Sequence, residues 1–247
     1  MKKLLTLLLA LCMVLTLSAC SSKTENNVVE ETPFDFSAKS EGVLTYSEYE
    51  ALPSDGSAEV VIEAYVQAHQ SWWDNKLTVY AQDPNGGYFI YNMACQEADA
   101  AKLVPGTKIK VTGYKAEFSG EIEIADGTFE IEEGSWIAPA TDVTKDLGTD
   151  NMIKNQNKFV AFKGMTVEKA ALYKWDGSGK QGDDLYFDVS KDGKTYTFTV
   201  ESYLCDASTD VYKAVEALKV GDKIDMEGFC YWYEGLNPHI TSVKAAK

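Results

Sequence analysis

Two stretches of the chain carry the same pattern of apolar, glycine and lysine positions at a constant offset of 115 residues. In each copy a short helical stretch, residues 96–104 and 208–220, ends at a glycine turn, and a strand of alternating apolar and polar residues follows it. Such a repeat predicts two copies of one folding unit. The matched positions are Leu103, Gly106, Lys108, Ile109, Val111, Gly113, Tyr114, Phe118 and Gly120 in the first copy, and Leu218, Gly221, Lys223, Ile224, Met226, Gly228, Phe229, Tyr233 and Gly235 in the second.

Further strand-like runs surround the helical stretch in both copies. They cover residues 59–70, 77–82, 88–93 and 121–125 in the first copy, with an extra strand at 127–133, and residues 159–168, 185–189, 195–201 and 239–243 in the second. Together with the strand after each helix, these runs predict an all-β fold with short helices. Five strands with a helix between the third and the fourth is the order of the OB-fold, a five-stranded barrel. A two-layer sandwich of short strands is the competing fold.

Each half also resembles the OB-fold domains that recur in exported bacterial lipoproteins. The resemblance is carried by a long first strand, a second strand that ends near Gln82 and Asp83, a turn at Gly86 and Gly87, and a Gly-x-Lys-Ile fourth strand. It implies two tandem five-stranded OB-fold barrels that occupy nearly all of the chain after its first segment.

The amino terminus has the organisation of a secretory signal. Met1, Lys2 and Lys3 precede an apolar stretch, residues 4–17, that is too short to span a bilayer comfortably. Leu17, Ser18, Ala19 and Cys20 then resemble the lipobox of bacterial lipoproteins. The resemblance implies cleavage before Cys20 and a diacylglyceryl group on its thiol, and two or more acyl chains, such as an added palmitate, would hold the protein at the extracytoplasmic face of the cell membrane. A plain secretory signal is the alternative.

Composition divides the chain into five segments. Residues 1–19 are the predicted signal peptide, and residues 20–41 are a lipidated flexible tether that is rich in Ser, Thr, Asn, Glu and Pro. The first OB-fold domain covers residues 42–141, the linker residues 142–158, and the second OB-fold domain residues 159–247.

The charge balance argues against polyanionic partners. The formal net charge is −15, and the chain contains no arginine, the residue that best recognises phosphates and base edges. Residues 21–141 hold 21 acidic residues against 7 lysines, whereas residues 142–247 hold 17 against 14. We therefore expect nucleic acid and anionic headgroups to be unlikely partners, and an acidic surface that keeps the protein soluble.

Alternation in the second copy indicates which side chains face outward, and the same register is expected in the first copy. It points Leu77, Val79, Ala81, Phe89, Tyr91 and Met93 into the first barrel. The outer face of the second and third strands is the usual binding surface of OB-folds. The predicted ligand-binding residues there and in the neighbouring loops are Tyr80, Tyr88, Trp72, Trp73 and Asn75 in the first copy and Trp175 and Trp232 in the second. The alternative is that these aromatic residues pack at an interface or cover the barrel ends.

Catalytic and metal-binding patterns are missing from the sequence. His69 and His239 lie in different copies, and neither has the spacing of a metal ligand. No nucleophile elbow or phosphate-binding glycine loop occurs. Cys205 and Cys230 could form a disulfide or remain buried thiols. The sequence thus predicts no enzyme, cofactor or metal, and favours a membrane-anchored module or scaffold that binds a glycan, peptide or protein. A cell-surface protein that binds single-stranded nucleic acid and an unrecognised hydrolase are the alternatives.

Overall fold

The protein is represented by a computed structural model that describes residues 35–246. The predicted signal peptide and Cys20 lie outside the described residues. Within them, no helix is both long enough and apolar enough to cross a membrane.

The first barrel contains five strands, and its order is that of an OB-fold. The elements are α1 Tyr46–Ala51, β1 Asp55–His69, β2 Lys76–Gln82, β3 Gly87–Ala94, α2 Glu97–Ala100, β4 Thr107–Phe118 and β5 Glu121–Ser135. The strands close in the order β1-β2-β3-β5-β4, and the short helix α2 lies between β3 and β4. The strand predicted at 127–133 is the second half of β5. The predicted OB-fold order is therefore confirmed here.

The second half of the chain repeats this strand order. Its elements are β6 Thr141–Asp142, two 3-10 turns at Thr144–Asp146 and Met152–Asn155, β7 Phe159–Tyr173, β8 Leu185–Lys191, β9 Lys194–Val200, α3 Asp210–Glu216, β10 Lys223–Phe229 and β11 His239–Ala245. The sheet order is β10-β11-β9-β8-β7-β6, and a further pairing of β10 with β7 closes the ring. Without the short β6, the strands of this ring follow the order β7-β8-β9-β11-β10, which matches the order β1-β2-β3-β5-β4 of the first barrel.

One glycine position that both copies share, Gly113 in the first and Gly228 in the second, is required for steric reasons. A Cβ on Gly113 would lie 2.8 Å from the backbone oxygen of Ala125, and one on Gly228 would lie 2.2 Å from that of His239. Both contacts are closer than real Cβ atoms approach backbone. Glycine at these matched positions therefore lets the fourth strand of each barrel lie close against the fifth.

The register prediction holds in the second barrel and in β2, but it fails in part of β3. Tyr88 and Ile90 point into the core of the first barrel, where Phe89 and Tyr91 were expected, although Met93 points inward as expected. The cause is a bulge: Leu77 pairs with Met93 but Val79 pairs with Ile90, and Asn92 between them has φ 48°. An extra residue shifts the alternation by one position, so every side chain before it changes face.

The two barrels pack through the outer face of β2 and β3. Tyr80 stacks on Phe229 with ring centroids 4.4 Å apart, and its hydroxyl shares a 2.7 Å hydrogen bond with Nδ1 of His239. Phe89 meets the ring of Tyr231 edge to face at 5.2 Å. The Phe159 backbone N–H donates to Oε1 of Gln82 at 2.7 Å. The second barrel therefore covers the surface where the sequence predicted a ligand.

The last part of the predicted tether lies on the first barrel. The ring of Phe36 meets that of Tyr65 at 6.1 Å, and the Lys39 ammonium pairs with the fully buried carboxylate of Asp83. Phe36 and Lys39 are therefore held against the first barrel, although the sequence placed both in the flexible tether.

Candidate functional site

Two of the predicted ligand residues are inaccessible. Tyr80 is 1% exposed in the interface between the barrels, and Tyr88 is fully buried inside the first barrel, where its hydroxyl donates to Asp83 at 3.2 Å. Their prediction as surface residues is wrong. Tyr88 was misplaced by the bulge in β3, and Tyr80 does point outward from its own barrel but faces the other one.

The loop between β1 and β2 has mixed exposure. Trp72 is half-buried against the core, and its Nε1 donates to the backbone oxygen of Cys95 at 2.9 Å. Trp73, 60% exposed, and Asn75 remain at the surface. The Ser71 backbone N–H donates to the oxygen of Tyr203 at 2.7 Å, so the second barrel also holds this loop.

The corresponding face of the second barrel is open and forms a groove, here called the aromatic groove. It lies along the outer face of β8, between the β7–β8 loop and the β10–β11 loop, and its volume is about 360 Å³. The lining residues are Lys169, Leu172, Trp175, Tyr186, Asp188, Thr197, Tyr233, Leu236 and Asn237. This is the position at which OB-folds usually bind oligonucleotides and oligosaccharides.

Local backbone structure presents two of the three rings. Trp175 follows Lys174, which has φ 60° and whose N–H donates to the oxygen of Asp184 at 2.8 Å, and the indole is 76% exposed. The N–H of Tyr233 donates to the oxygen of Gly235 at 2.8 Å in a tight turn, and the Tyr233 ring is 48% exposed. Flat rings held at the surface by backbone hydrogen bonds are suited to stacking on a planar ligand group.

Trp232 has a different environment from Trp175. It is half-buried against the core of the second barrel, and its backbone N–H donates to Oε2 of Glu121 at 2.8 Å. Of the two tryptophans that the sequence assigned to a ligand in this half, the groove contains only Trp175. Tyr186 was missing from the predicted site, although its outward alternation in β8 was a usable signal.

The polar groups of the groove include one lysine and one carboxylate. Lys169 is paired across the strands with Asp188, and the Asp188 carboxylate accepts from the Thr197 hydroxyl at 2.7 Å. Burial, with the charges of Asp184 and Glu201, raises the pKa of Tyr186, so its hydroxyl stays neutral. The groove therefore offers hydrogen bonds and one cation beside its rings.

Three side chains with strongly shifted pKa values, Glu121, Glu201 and His239, lie between the barrels, away from the groove. Burial raises the pKa of Glu121 to about 8 and that of Glu201 to about 7, and it lowers the pKa of His239 to about 3. All three are buried, so a substrate cannot reach them. Residues 35–246 contain no group of three His, Cys, Asp or Glu side chains placed to hold a metal ion. Cys95, Cys205 and Cys230 are free, buried thiols.

Comparisons with known proteins give a likeness to solved structures only. No protein-family model matches the chain, and no curated protein matches its sequence. A murine DNA-binding protein bound to double-stranded DNA is 14% identical over 76% of this chain and 97% of its own, with a TM-score of 0.36. The HINa domain of Ifi202 in complex with 20-base-pair double-stranded DNA is 11% identical over 77% and 100%, with a TM-score of 0.35. A deletion mutant of the single-stranded DNA-binding protein from Thermus aquaticus is 11% identical over 78% and 96%, with a TM-score of 0.26.

These comparisons contradict the predicted function. The sequence favours a membrane-anchored module for a glycan, peptide or protein and makes nucleic acid an unlikely partner, whereas the matched structures are of DNA-binding proteins. The expectation from the sequence gives phosphate contacts, which arginine favours, more weight than base stacking, which needs no positive charge. The localisation and the lipid on Cys20 stay predictions, as does the absence of an enzyme activity. The closed barrel in the order described above is an OB-fold, and support for any ligand has to come from the residues of the groove itself.

Proposed function

We propose that the second barrel binds single-stranded nucleic acid, with bases stacked on Trp175, Tyr186 and Tyr233. The observation that carries the proposal is the aromatic groove: three rings line the open outer face of an OB-fold barrel, where such ligands usually bind. Every base has a π-face, so stacking on such rings tolerates any sequence and contributes about 1–3 kcal/mol per base.

A single strand fits these residues better than a duplex does. In a duplex the bases are stacked on each other and cannot reach the exposed rings of Trp175 and Tyr233. The groove also has few cations for a phosphate backbone: Lys169 lines it, and Lys174 lies in the neighbouring loop. If both contact phosphates, the logarithm of affinity should fall with the logarithm of salt concentration with a slope of only about −1.4.

Fluorescence anisotropy with a labelled thymidine oligonucleotide of about eight nucleotides, within the range of a single OB-fold, tests the proposal. Trp175→Ala removes one stacking ring and should weaken binding by about fivefold to 150-fold. Trp73→Ala is the matched control, because Trp73 is also exposed but belongs to the first barrel, and it should leave affinity unchanged. A duplex of the same length should bind more weakly.

Two results would refute the proposal. One is that the wild-type protein does not bind the oligonucleotide, and the other is that both tryptophan variants bind as well as the wild type. A salt slope much steeper than about −1.4 would instead indicate a phosphate-binding surface elsewhere on the protein.

A further inference from the structure

A hairpin of the first barrel reaches one side of the aromatic groove. Strands β4 and β5 are joined at Phe118 and Glu121 through Ser119 and Gly120, which have φ 53° and 91°. Two positive φ angles between paired residues are characteristic of a type I′ turn, whose twist keeps the two strands together up to the tip. The hairpin therefore projects as a defined structure towards the second barrel.

Hydrogen bonds tie the hairpin tip to the β10–β11 loop, which supplies part of the groove. The backbone N–H of Glu234 donates to the backbone oxygen of Ser119 at 2.7 Å, and the backbone N–H of Trp232 donates to Oε2 of Glu121 at 2.8 Å. A Cβ on Gly120 would lie 3.2 Å from the indole Cδ1 of Trp232, so the tip backbone is in close contact with that side chain. The first barrel thus fixes the loop from which Tyr233 enters the groove.

An exposed ring on the hairpin continues the aromatic surface. Phe118 is 58% exposed, and its ring centroid lies 6.2 Å from that of Tyr233. Tyr233 is also a lining residue of the groove, so Phe118 adjoins the groove through this ring. A large apolar ring at the surface, next to rings that already form a groove, extends that surface onto the other barrel.

The charges beside Phe118 define what could bind there. Glu117 precedes it in the chain, and Glu234 follows Tyr233; both carboxylates are exposed. A phosphate would be repelled by these groups, whereas a neutral base could stack on the Phe118 ring with its phosphate turned towards the solvent.

We propose that Phe118 extends the binding site of the second barrel onto the first, so that the ligand is a single strand spanning both barrels. The proposal rests on the proposed function of the aromatic groove. It explains why a hairpin tip that is hydrogen-bonded to the second barrel leaves its largest apolar side chain uncovered.

Binding of thymidine oligonucleotides of different lengths tests this extension. Phe118→Ala should weaken binding of a strand of about twelve nucleotides at least fivefold, but it should leave unchanged the binding of a strand of about four, which covers the aromatic groove alone. Ile137→Ala is the control, because Ile137 is an equally exposed apolar residue of the first barrel. Phe118→Leu keeps an apolar side chain but removes the flat ring, so it should also weaken binding of the long strand. Agreement between the two variants would show that the alanine variant does not lose affinity through a folding defect.

The outcomes separate the two proposals. If Trp175→Ala weakens binding but both Phe118 variants bind the long strand like the wild type, the extension is overturned and the groove stands. A loss of affinity with Phe118→Ala that is equal for short and long strands also overturns the extension, because it would be an indirect effect on the β10–β11 loop. If the wild type binds neither strand, both proposals fail.

Discussion

Removing one hydroxyl group from the interface between the barrels gives a sharp test of how they are joined. Tyr80→Phe keeps the ring that stacks on Phe229 and removes only the oxygen that shares a hydrogen bond with His239. Tyr80 and His239 are both buried, and burial lowers the pKa of His239 to about 3, so the histidine is neutral at physiological pH. The substitution therefore leaves a neutral ring nitrogen without its partner.

The expected cost follows from desolvation. A buried polar group that loses its only hydrogen-bond partner costs about 1–3 kcal/mol, more than the net value of an exposed hydrogen bond. For a protein of this size each kcal/mol lowers Tm by about 2–4 °C, so Tyr80→Phe should lower Tm by about 2–12 °C.

Differential scanning calorimetry against a matched variant measures this effect. Tyr91→Phe removes the same atom from the neighbouring strand, where Tyr91 is 46% exposed, and should change Tm by less than about 1 °C. If Tyr80→Phe weakens the interface, its calorimetric unfolding transition should also become broader or split into two, because the two barrels would unfold less cooperatively. Equal Tm values for the two variants would show that the buried hydrogen bond does not contribute to joining the barrels.

The structure leads to two further predictions, and the sequence alone leads to a third. Gly87→Ala would place a Cβ 2.2 Å from the backbone oxygen of Asn157 and should lower the free energy of unfolding, measured by urea titration, by about 1–3 kcal/mol. An unchanged urea midpoint would show that the linker at Asn157 does not pack against Gly87. Burial raises the pKa of Glu121 from 4.5 to about 8, so between these pH values the folded protein retains a proton that the unfolded chain loses. The free energy of unfolding should therefore fall as pH rises from about 4.5 through 8, and Glu121→Gln should make that fall shallower. The same dependence of stability on pH in the wild type and the variant would contradict the raised pKa. Mass spectrometry of protein from the membrane fraction should show added lipid on Cys20 and none on a Cys20→Ser variant, and a free Cys20 thiol in that fraction would refute the predicted anchor.

The fold could be predicted from the sequence because its signals are local and occur twice. Alternation sets the inward faces of β2, β8 and β9, and the shared glycines at 113 and 228 mark where two strands lie close. The failure in β3 has an equally local cause. A bulge at Asn92 shifts the alternation by one residue, and nothing in the composition of the strand distinguishes Tyr88 from Tyr91 as the inward ring.

The candidate site could be predicted only in part. Trp175 was identified because it lies in a long, glycine-containing loop between two strands, and the structure leaves its indole 76% exposed. Tyr80 was correctly placed on the outer face of its barrel, but a sequence does not show that another barrel covers this face. Tyr233 and Phe118 meet only because a hairpin of one barrel contacts a loop of the other, which are far apart in the chain.

The sequence by itself therefore determined the strand order and the repetition of the barrel, because hydrophobic alternation and turn residues act over a few neighbouring positions. Only the tertiary structure decided which barrel face is available to a ligand. Both barrels have aromatic residues on the same outer face, but packing between them buries Tyr80 and Phe89 and leaves Tyr186 and Tyr233 at the surface. That choice depends on the fit of two surfaces, and such a fit is a property of the folded barrels and not of any segment of the chain.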